Sequence, residues 1–346
     1  MPVTLAGTTS IVASIPALIG FVPHDSLVLF TALTRDDGSV TAGPLTRIDL
    51  AHLTRHAGDC VRQFNRQVAD LPVLCVTGIV VHAVNEDDTA DAVPLREDVD
   101  AVVALLAEFG FTDVEVVHVP AIAEGARWRS YRDSERTGVL PDPATTAAAV
   151  AATVAGQPVA ACREDLAARF TPAAEQVRER LRQDIAHAVE LAVIDQHSHL
   201  AAHVRLGRAD AAIRAASDGD LPADDAAIVD LVATFATLPF RDALLAVPDD
   251  ARRLGAENLL LQLWRHSCGP VAGQLATVIA MHAYLRGDGT GAGIALENAD
   301  PEQPLTRLLT SMLGHAVPPS KVRDLVQKAS AEARRALLGE PPADHV

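Results

Sequence analysis

The chain changes character along its length, and this change constrains its fold more than any other feature. Up to about residue 135, short apolar runs of strand length alternate with amphipathic stretches of helix length. From Pro143 onwards no segment is typical of a strand, and helical segments follow one another between prolines and glycines. Alternating strands and helices favour a layered α/β domain, whereas consecutive helices favour an all-helical domain. A chain of 346 residues is long enough for both.

The apolar runs of the first part predict a mixed sheet. The first two runs flank the turn sequence RDDG and are expected to form an antiparallel hairpin. The third run, PVLCVTGIVV, is rich in β-branched residues, which is typical of a central strand covered on both faces. The predicted segments are strands at 26–33, 40–50, 72–81 and 113–119, helices at 51–69 and 95–109, and a solvated loop at 85–91.

We therefore predict an α/β domain at 1–135, an all-helical domain at 136–338 and a frayed tail at 339–346. One long helix is expected at 172–204. Within 276–305, small residues stand where two antiparallel helices must approach closely, around the turn at Gly287 and Asp288. This order matches the second half of a tetratricopeptide hairpin, so we expect tetratricopeptide-like packing, although no second copy lies one repeat away.

The balance of charges limits the partners of the chain. Its 45 acidic residues outnumber its 29 basic ones, giving a formal net charge of −16. Such a surface repels phosphate backbones and anionic lipids, so neither nucleic acid nor a membrane is an expected partner. The four cysteines lie far apart without a C-x-x-C pair and fit reduced thiols, and the first residues lack the basic segment of a signal peptide. We expect a cytoplasmic protein without a cofactor, and its oligomeric state stays open.

Six short motifs follow one another along the chain in an order that resembles a known family. They are IPALIGFVPHDSLVLF at 15–30, Arg47-x-Asp49, WRSY at 128–131, G-x₅-CREDLAARF at 156–170, LLLQLWR at 259–265 and AYLRGDGTGAGIALENA at 283–299. Together they resemble the actinobacterial family called domain of unknown function 4192, over nearly the whole chain. The resemblance implies a cytosolic protein of a high-GC bacterium and supplies no activity, cofactor or catalytic residue. The Cys-Cys-Pro segment of many members is missing here, where 132–143 is RDSERTGVLPDP, so no metal or redox role through those cysteines is implied.

The consecutive residues His24, Asp25 and Ser26 contain the side chains of a hydrolase triad. Neighbouring residues of an extended chain point to opposite faces, so three in a row do not form the required relay. No G-x-S-x-G sequence surrounds Ser26. We interpret the three residues as the local hydrogen-bonding groups at the start of a strand.

Arg47 and Asp49 alternate with apolar residues at the end of the second strand, so both side chains share one face. An arginine at a strand end could bind a carboxylate or a phosphate through its planar guanidinium. The alternative is a structural Arg–Asp pair, with Asp49 capping the next helix.

The sequence ARWRSYR concentrates basic and aromatic side chains, namely Arg127, Trp128, Arg129 and Tyr131. Guanidinium groups bind phosphate and aromatic rings stack on bases, so these residues are candidate ligand contacts. Alternatively, the tryptophan packs in the interior and the arginines are solvated or paired with acids.

Asp195, His199 and His203 are spaced by four residues, which would place them on one face of a long helix. They are candidates for metal ligands, although a structural site needs a fourth ligand. The glycines at 287, 289, 291 and 293 follow a helix and lack a Walker lysine. We interpret them as a turn, in which Gly287 ends one helix and Asp288 caps the next.

Two functional hypotheses remain from the sequence. The first is a non-enzymatic binding or scaffold protein that recognises a partner through its helical half. The second is a binder, sensor or enzyme for an anionic small molecule, a nucleotide or phosphorylated metabolite, held between the two domains near Arg47, Asp49, Trp128 and Arg129. The first is favoured, because no complete set of nucleophile, base and electrostatic stabiliser is found.

Overall fold

The computed structural model describes residues 7–83, 93–247 and 249–341. Contacts divide the chain into two compact units, residues 1–165 with 314–316 and residues 166–313 with 317–346. The loop predicted at 85–91 and the last residues of the predicted tail, 342–346, lie outside the described residues. No helix in the described ranges is both long enough and apolar enough to cross a bilayer.

The first unit contains a mixed six-stranded sheet. Its order is β2-β1-β3-β4-β5-β6, in which β3 and β4 are parallel and the other neighbouring pairs are antiparallel. The strands are β1 Ser26–Thr34, β2 Val40–Asp49, β3 Val73–Val81, β4 Val114–Val119, β5 Arg127–Ser130 and β6 Thr137–Val139. The helices of this unit are α1 Gly7–Ile19, α2 Leu50–Val68, α3 Arg96–Glu108 and α4 Ala147–Val154.

Helices lie on both faces of the sheet. On one face, Leu27, Val80 and Val116 form a buried cluster with Phe64 of α2 and Leu106 of α3. On the other face, the partly buried α1 contacts β5 through Thr9 and Trp128 and packs on α4. Strand β3 is thus covered on both sides, as its continuous apolar sequence predicts.

The second unit is helical throughout its described residues. After α5 Arg163–Ala167, which spans the division between the units, its helices are α6 Glu175–Asp195, α7 His199–Ser217, α8 Asp225–Ala236, α9 Leu238–Leu244, α10 Asp250–Arg265, α11 Gly269–Arg286, α12 Gly289–Glu297, α13 Pro304–Gly314 and α14 Pro319–Leu338. Helix α11 is central, since nearly all of its side chains from Leu275 to Leu285 are buried in one apolar core.

The predicted fold class is confirmed. The four predicted strands correspond to β1–β4, the two predicted helices correspond to α2 and α3, and β1 and β2 form the antiparallel hairpin. Gly287, with a φ of 90°, ends α11, and the carboxylate of Asp288 accepts a hydrogen bond from the amide of Gly291, as predicted for this turn. Tetratricopeptide-like packing stays a prediction.

Two features differ from the expectation. Strands β5 and β6 extend the sheet across WRSY, and residues 137–160 continue in the first unit, where Phe21 bridges to Ala160. The long helix predicted at 172–204 is wrong, because α6 ends at Asp195 and α7 begins at His199. The Ser198 hydroxyl accepts a hydrogen bond from the amide of Ala201, so a side-chain cap starts a new helix without a proline or glycine.

Gly138 of β6 tests the packing of WRSY into the sheet. A Cβ atom at this position would lie 2.5 Å from Nε1 of Trp128, whose ring is held by a hydrogen bond to Thr9 of α1. Gly138→Ala is therefore expected to lower the free energy of unfolding by about 1–3 kcal/mol in urea denaturation. Gly207→Ala in α7 meets open space and should instead raise it by about 1 kcal/mol through helix propensity. Equal effects of the two changes would contradict this packing.

Candidate functional site

The ends of four strands meet at one edge of the sheet in the first unit. Ser26, which begins β1, pairs with Asp49 at the end of β2 and with Val81 at the end of β3. Val81 in turn pairs with Val119 at the end of β4. We call this line the carboxyl edge, because β3 and β4 both end there. Ligands of α/β proteins commonly bind beyond such strand ends.

Arg47 is fixed on one face of this edge. Its Nε donates a hydrogen bond to the hydroxyl of Ser26 over 2.9 Å, its Nη2 is paired with Asp49, and its guanidinium lies 5.5 Å from the ring centroid of Phe21. The carboxylate of Asp49 does not cap α2, although Asp49 is the residue at which that helix starts. The structural Arg–Asp pair is present, and a ligand contact by either residue stays a prediction.

Ser26 is not arranged as a nucleophile. It is fully buried, and its hydroxyl donates to the carbonyl oxygen of His24 over 2.5 Å while it accepts from Arg47. The carbonyl oxygen of Asp25 accepts the amide of Leu50, the first residue of α2. These contacts give Ser26 a structural role at the start of β1, although its local partner is the carbonyl oxygen of His24 and not the backbone amide expected from the sequence.

Asp25 instead forms a pair with His82, the residue that follows β3. The two side chains lie 2.7 Å apart, between Oδ1 of Asp25 and Nδ1 of His82. Asp25 has a φ of 42°, a left-handed conformation that costs roughly 1–2 kcal/mol for a residue other than glycine. Even when both groups are charged, a contact as exposed as this one contributes only about 0–1 kcal/mol. Stability of the pair alone therefore does not explain this geometry.

His118 of β4 contacts the backbone of His82. Its Nε2 is 2.8 Å from the carbonyl oxygen of His82, and its side chain is buried. Burial lowers the pKa of His118, and the neighbouring His82 and Arg129 lower it further, against the opposing effect of the hydrogen bond to the His82 carbonyl oxygen. His118 is therefore neutral and donates to the His82 carbonyl.

The structure separates the two aromatic residues of WRSY. Trp128 is buried and its Nε1 donates to Thr9 of α1 over 2.9 Å. Tyr131 is buried in the cluster on the opposite face, where its hydroxyl donates to the carbonyl oxygen of Pro94 and burial raises its pKa. Both rings thus serve in packing, whereas Arg127 is exposed and Arg129 is half-buried.

Asp195, His199 and His203 do not form one ladder, because the helix break separates the aspartate from the histidines. Asp195 is paired with Arg205, and Nδ1 of His199 lies 3.0 Å from the carbonyl oxygen of Leu337. His203 is exposed. The parts of the chain that the structure describes contain no group of three or more His, Cys, Asp or Glu side chains placed to hold a metal ion.

A buried charge network in the helical unit was not anticipated from the sequence. Arg286 donates two hydrogen bonds to Glu257, over 2.9 and 2.8 Å, and a third to Asp288. Burial acts to lower the pKa of Arg286, but these carboxylates outweigh it and raise that pKa. One turn earlier on α11, His282 is fully buried, and neither ring nitrogen has a hydrogen-bond partner among the described residues.

One face of α7 exposes apolar side chains at helical spacing. Leu200 is 78% exposed and Val204 is 44% exposed, one turn apart. The same face continues through Arg208, Ala212 and Ala215, which line a groove of about 460 Å³ against the start of α8. Leu221, Pro222, Ala226, Ala227 and Leu231 form the other side of this groove. We call Leu200, Val204 and this groove the α7 surface.

Comparison with known proteins gives one result. A family model described as "Domain of unknown function (DUF4192)" matches residues 9–320. The chain belongs to this family. No curated protein and no solved structure was found to match the chain. Membership of the DUF4192 family agrees with the resemblance seen in the sequence and assigns no activity to any residue.

Sequence reasoning missed His82 and the α7 surface for different reasons. His82 directly follows an apolar strand, and the rule that ligands bind at carboxyl ends of parallel strands could have identified it. Leu200 and Val204 stand at an i, i+4 spacing typical of a buried face. Only the packing of α7 shows that its other face, with Leu206 and Ile213, is the buried one.

The buried His282 gives a prediction for the dependence of stability on pH. Burial, and then the charges of Arg253 and Arg286, lower its pKa from 6.5 to about 3. Between these values the unfolded chain binds a proton that the folded chain does not, so the stability present above pH 6.5 is lost progressively as the pH falls. Replacing the ring by leucine also removes two unsatisfied polar atoms. The melting temperature of His282→Leu should therefore be higher than that of the unsubstituted protein. The difference between the two melting temperatures should grow as the pH falls from 7.5 towards 5.

The control is His187→Leu, which removes a histidine exposed on α6. Its melting temperature should follow that of the unsubstituted protein across the same pH range, because this side chain is solvated in both the folded and the unfolded state. A difference between His282→Leu and the unsubstituted protein that does not change with pH would contradict the prediction.

Proposed function

We propose that this protein binds a protein partner through its helical half, and that the α7 surface receives the apolar face of an amphipathic helix. The observation that carries the proposal is the exposure of Leu200 and Val204 on the same helix face as an apolar groove. Apolar patches of this kind on soluble proteins are typical of interaction sites. From Leu200 to Ala215 the surface is about 22 Å long, which matches a helix of four turns.

The gain on binding comes from removing these side chains from water. Full burial of an exposed leucine or valine contributes about 1.5–3 kcal/mol. Leu191 and Ile194, near the end of α6, are also exposed. Small residues line the groove, and they let a partner helix approach closely.

Charge indicates the kind of helix that fits. Within the groove Arg208 is paired with Asp230, which also pairs with Arg205, so these charges offset one another, and the exposed Asp220 adds a negative charge. The whole chain has a net charge of −16. A partner helix with basic residues beside its apolar face would be attracted to this surface, while an acidic helix would be repelled.

Buried ion pairs fix the position of α7 against its neighbouring helices α6 and α8. Arg205 is buried and joins Asp195 at the end of α6 to Asp230 of α8, over 2.6 and 3.1 Å. It also donates to the hydroxyl of Thr234. A surface fixed in this way loses little conformational entropy on binding, which favours affinity.

Leu200→Asp and Val204→Asp test the proposal. The probe is a fluorescent synthetic helix with leucines at i, i+3, i+4 and i+7 and lysines elsewhere. In anisotropy titrations each change should weaken binding at least about tenfold, which corresponds to about 1.4 kcal/mol or one lost buried side chain. The new aspartate by itself would attract the lysines of the peptide and strengthen binding. A loss of affinity therefore reports the loss of the apolar contact.

Leu325→Asp is the matched control, because Leu325 is a similarly exposed leucine on α14. This variant should bind the peptide as the unsubstituted protein does. Binding that is equal in all variants, or that is lost equally in the control, would overturn the α7 surface as the docking site. Sedimentation of the protein alone distinguishes a second copy from a different partner, since self-association lost in Leu200→Asp would identify the occupant as another copy of the chain.

A further inference from the structure

Two histidines lie side by side on α2, in the first unit and independently of the α7 surface. His52 and His56 are four residues apart, and both are exposed. Their ring centroids lie 4.8 Å apart, and the ring planes are inclined by 37°. Side chains at this spacing on a helix are neighbours, and here the two imidazoles are in direct contact.

The same spacing at His199 and His203 on α7 gives a different arrangement. Nδ1 of His199 lies 3.0 Å from the carbonyl oxygen of Leu337. The backbone at Gly339 packs against the same ring, because a Cβ atom there would lie 2.8 Å from Nε2 of His199. That imidazole is thus held at the end of α14. The sequence pattern His-x-x-x-His therefore does not by itself bring two imidazoles together, and the contact on α2 is a finding of the structure.

The histidine pair spans the first part of α2, between two irregular points of the helix. Asp49 starts α2 without a side-chain cap, and His56 itself has non-helical backbone angles, with a φ of −139° and a ψ of 32°. A ligand that held both rings would join the first turn of α2 to the residue at which the helical backbone is interrupted. It would therefore stabilise the helix where its own hydrogen bonding is incomplete.

The charged side chains next to the pair do not by themselves attract a cation. The pKa of the Asp59 carboxyl is lowered first by its hydrogen bond and ion pair with Arg62, and then by His56 and His52. Because Oδ1 of Asp59 is bound to Arg62 over 2.7 Å, these two charges offset one another. Arg55 stands between the histidines in the sequence, and its Nε donates to the carbonyl oxygen of Ala51. A cation at this place must therefore be held by the imidazole nitrogens, which disfavours Ca²⁺ and Mg²⁺ because those ions prefer oxygen ligands.

We propose that His52 and His56 together bind one divalent transition-metal ion of the zinc, nickel and copper class. Imidazole is a preferred ligand of these ions. Two imidazole nitrogens on one zinc ion lie roughly 3 Å apart, given the length of the Zn–N bond. Rings whose centroids are 4.8 Å apart reach this separation by rotation about side-chain bonds, with the helix backbone in place. The described residues hold no group of three or more ligands, so the protein supplies two and water completes the coordination.

The test uses the full chain without an affinity tag, with ¹⁵N-labelled histidine, whose 13 imidazoles give a tractable spectrum. His52→Gln and His56→Gln assign the ring signals of the two residues. Zinc ions are added in rising amounts near neutral pH, and magnesium ions are added in a parallel titration. We expect the ring signals of His52 and His56 to change together and to saturate with zinc, and to stay unchanged with magnesium.

The same variants show whether the two rings hold one ion. In His52→Gln the zinc response of His56 should weaken at least about tenfold, and the reverse should hold in His56→Gln, because a second ligand on the same chain binds an ion that is already held nearby. Arg55→Gln is the matched control on the same turn. It removes a positive charge and no ligand, so its zinc response should be at least as strong as that of the unsubstituted protein. His203→Gln, in the other His-x-x-x-His sequence, should leave the response unchanged.

Three results would overturn the proposal. The first is a zinc titration in which the signals of His52 and His56 do not change, and the second is an equal response to zinc and magnesium. The third is a response of either ring that persists unchanged when the other histidine is replaced, since each ring would then bind by itself. Circular dichroism establishes that each variant is folded. A response that is also lost in folded Arg55→Gln would show that a disturbance of α2, and not the loss of a ligand, accounts for the effect, and this too would contradict the proposal.

Discussion

Strand β1 is the element on which the arrangement of the first unit depends. It is hydrogen-bonded along nearly its whole length to β2 on one side and to β3 on the other. Because Leu27 and Leu29 are buried on one face and Val28 and Phe30 on the other, a shift by one residue would exchange the two buried sets. This register brings Ser26, Asp49 and Val81 to the same line, and with them Asp25, Arg47 and His82. The carboxyl edge is therefore a consequence of how β1 is packed.

In the helical unit, buried charges position the helices. Arg205 connects α6, α7 and α8, and Arg286 connects α10 to the turn before α12. Removing two charges from water costs several kcal/mol per ion, and the attraction between them offsets this only when geometry and hydrogen bonds are good. Such pairs therefore add little net stability. The hydrogen bonds of these pairs form only in one arrangement of the helices. They therefore favour that arrangement over others, which contacts between alanines and leucines alone would not distinguish.

Most of the sheet could be predicted from the sequence, because β1 to β4 are apolar runs bounded by turn residues. Strands β5 and β6 could not, since they have only four and three residues, β5 alternates arginine with Trp128 and Ser130, and β6 has a single apolar side chain. They are strands because β4 offers a free edge to β5 and because Trp128 packs beside Gly138. The break after Asp195 was missed for a related reason, as neither proline nor glycine marks it.

The candidate residues divide in the same way. Arg47 and Asp49 could be placed on one face of a strand end from their alternation alone. Local patterns likewise determined the fold class, the acidic surface and the glycine turn before α12, since each depends on residues close together in the chain. Only the tertiary structure decided that Asp25 faces His82, that Trp128 binds Thr9, and that Leu200 stays outside the core. These contacts join distant segments or depend on which helix face is covered, and packing of the whole unit settles both.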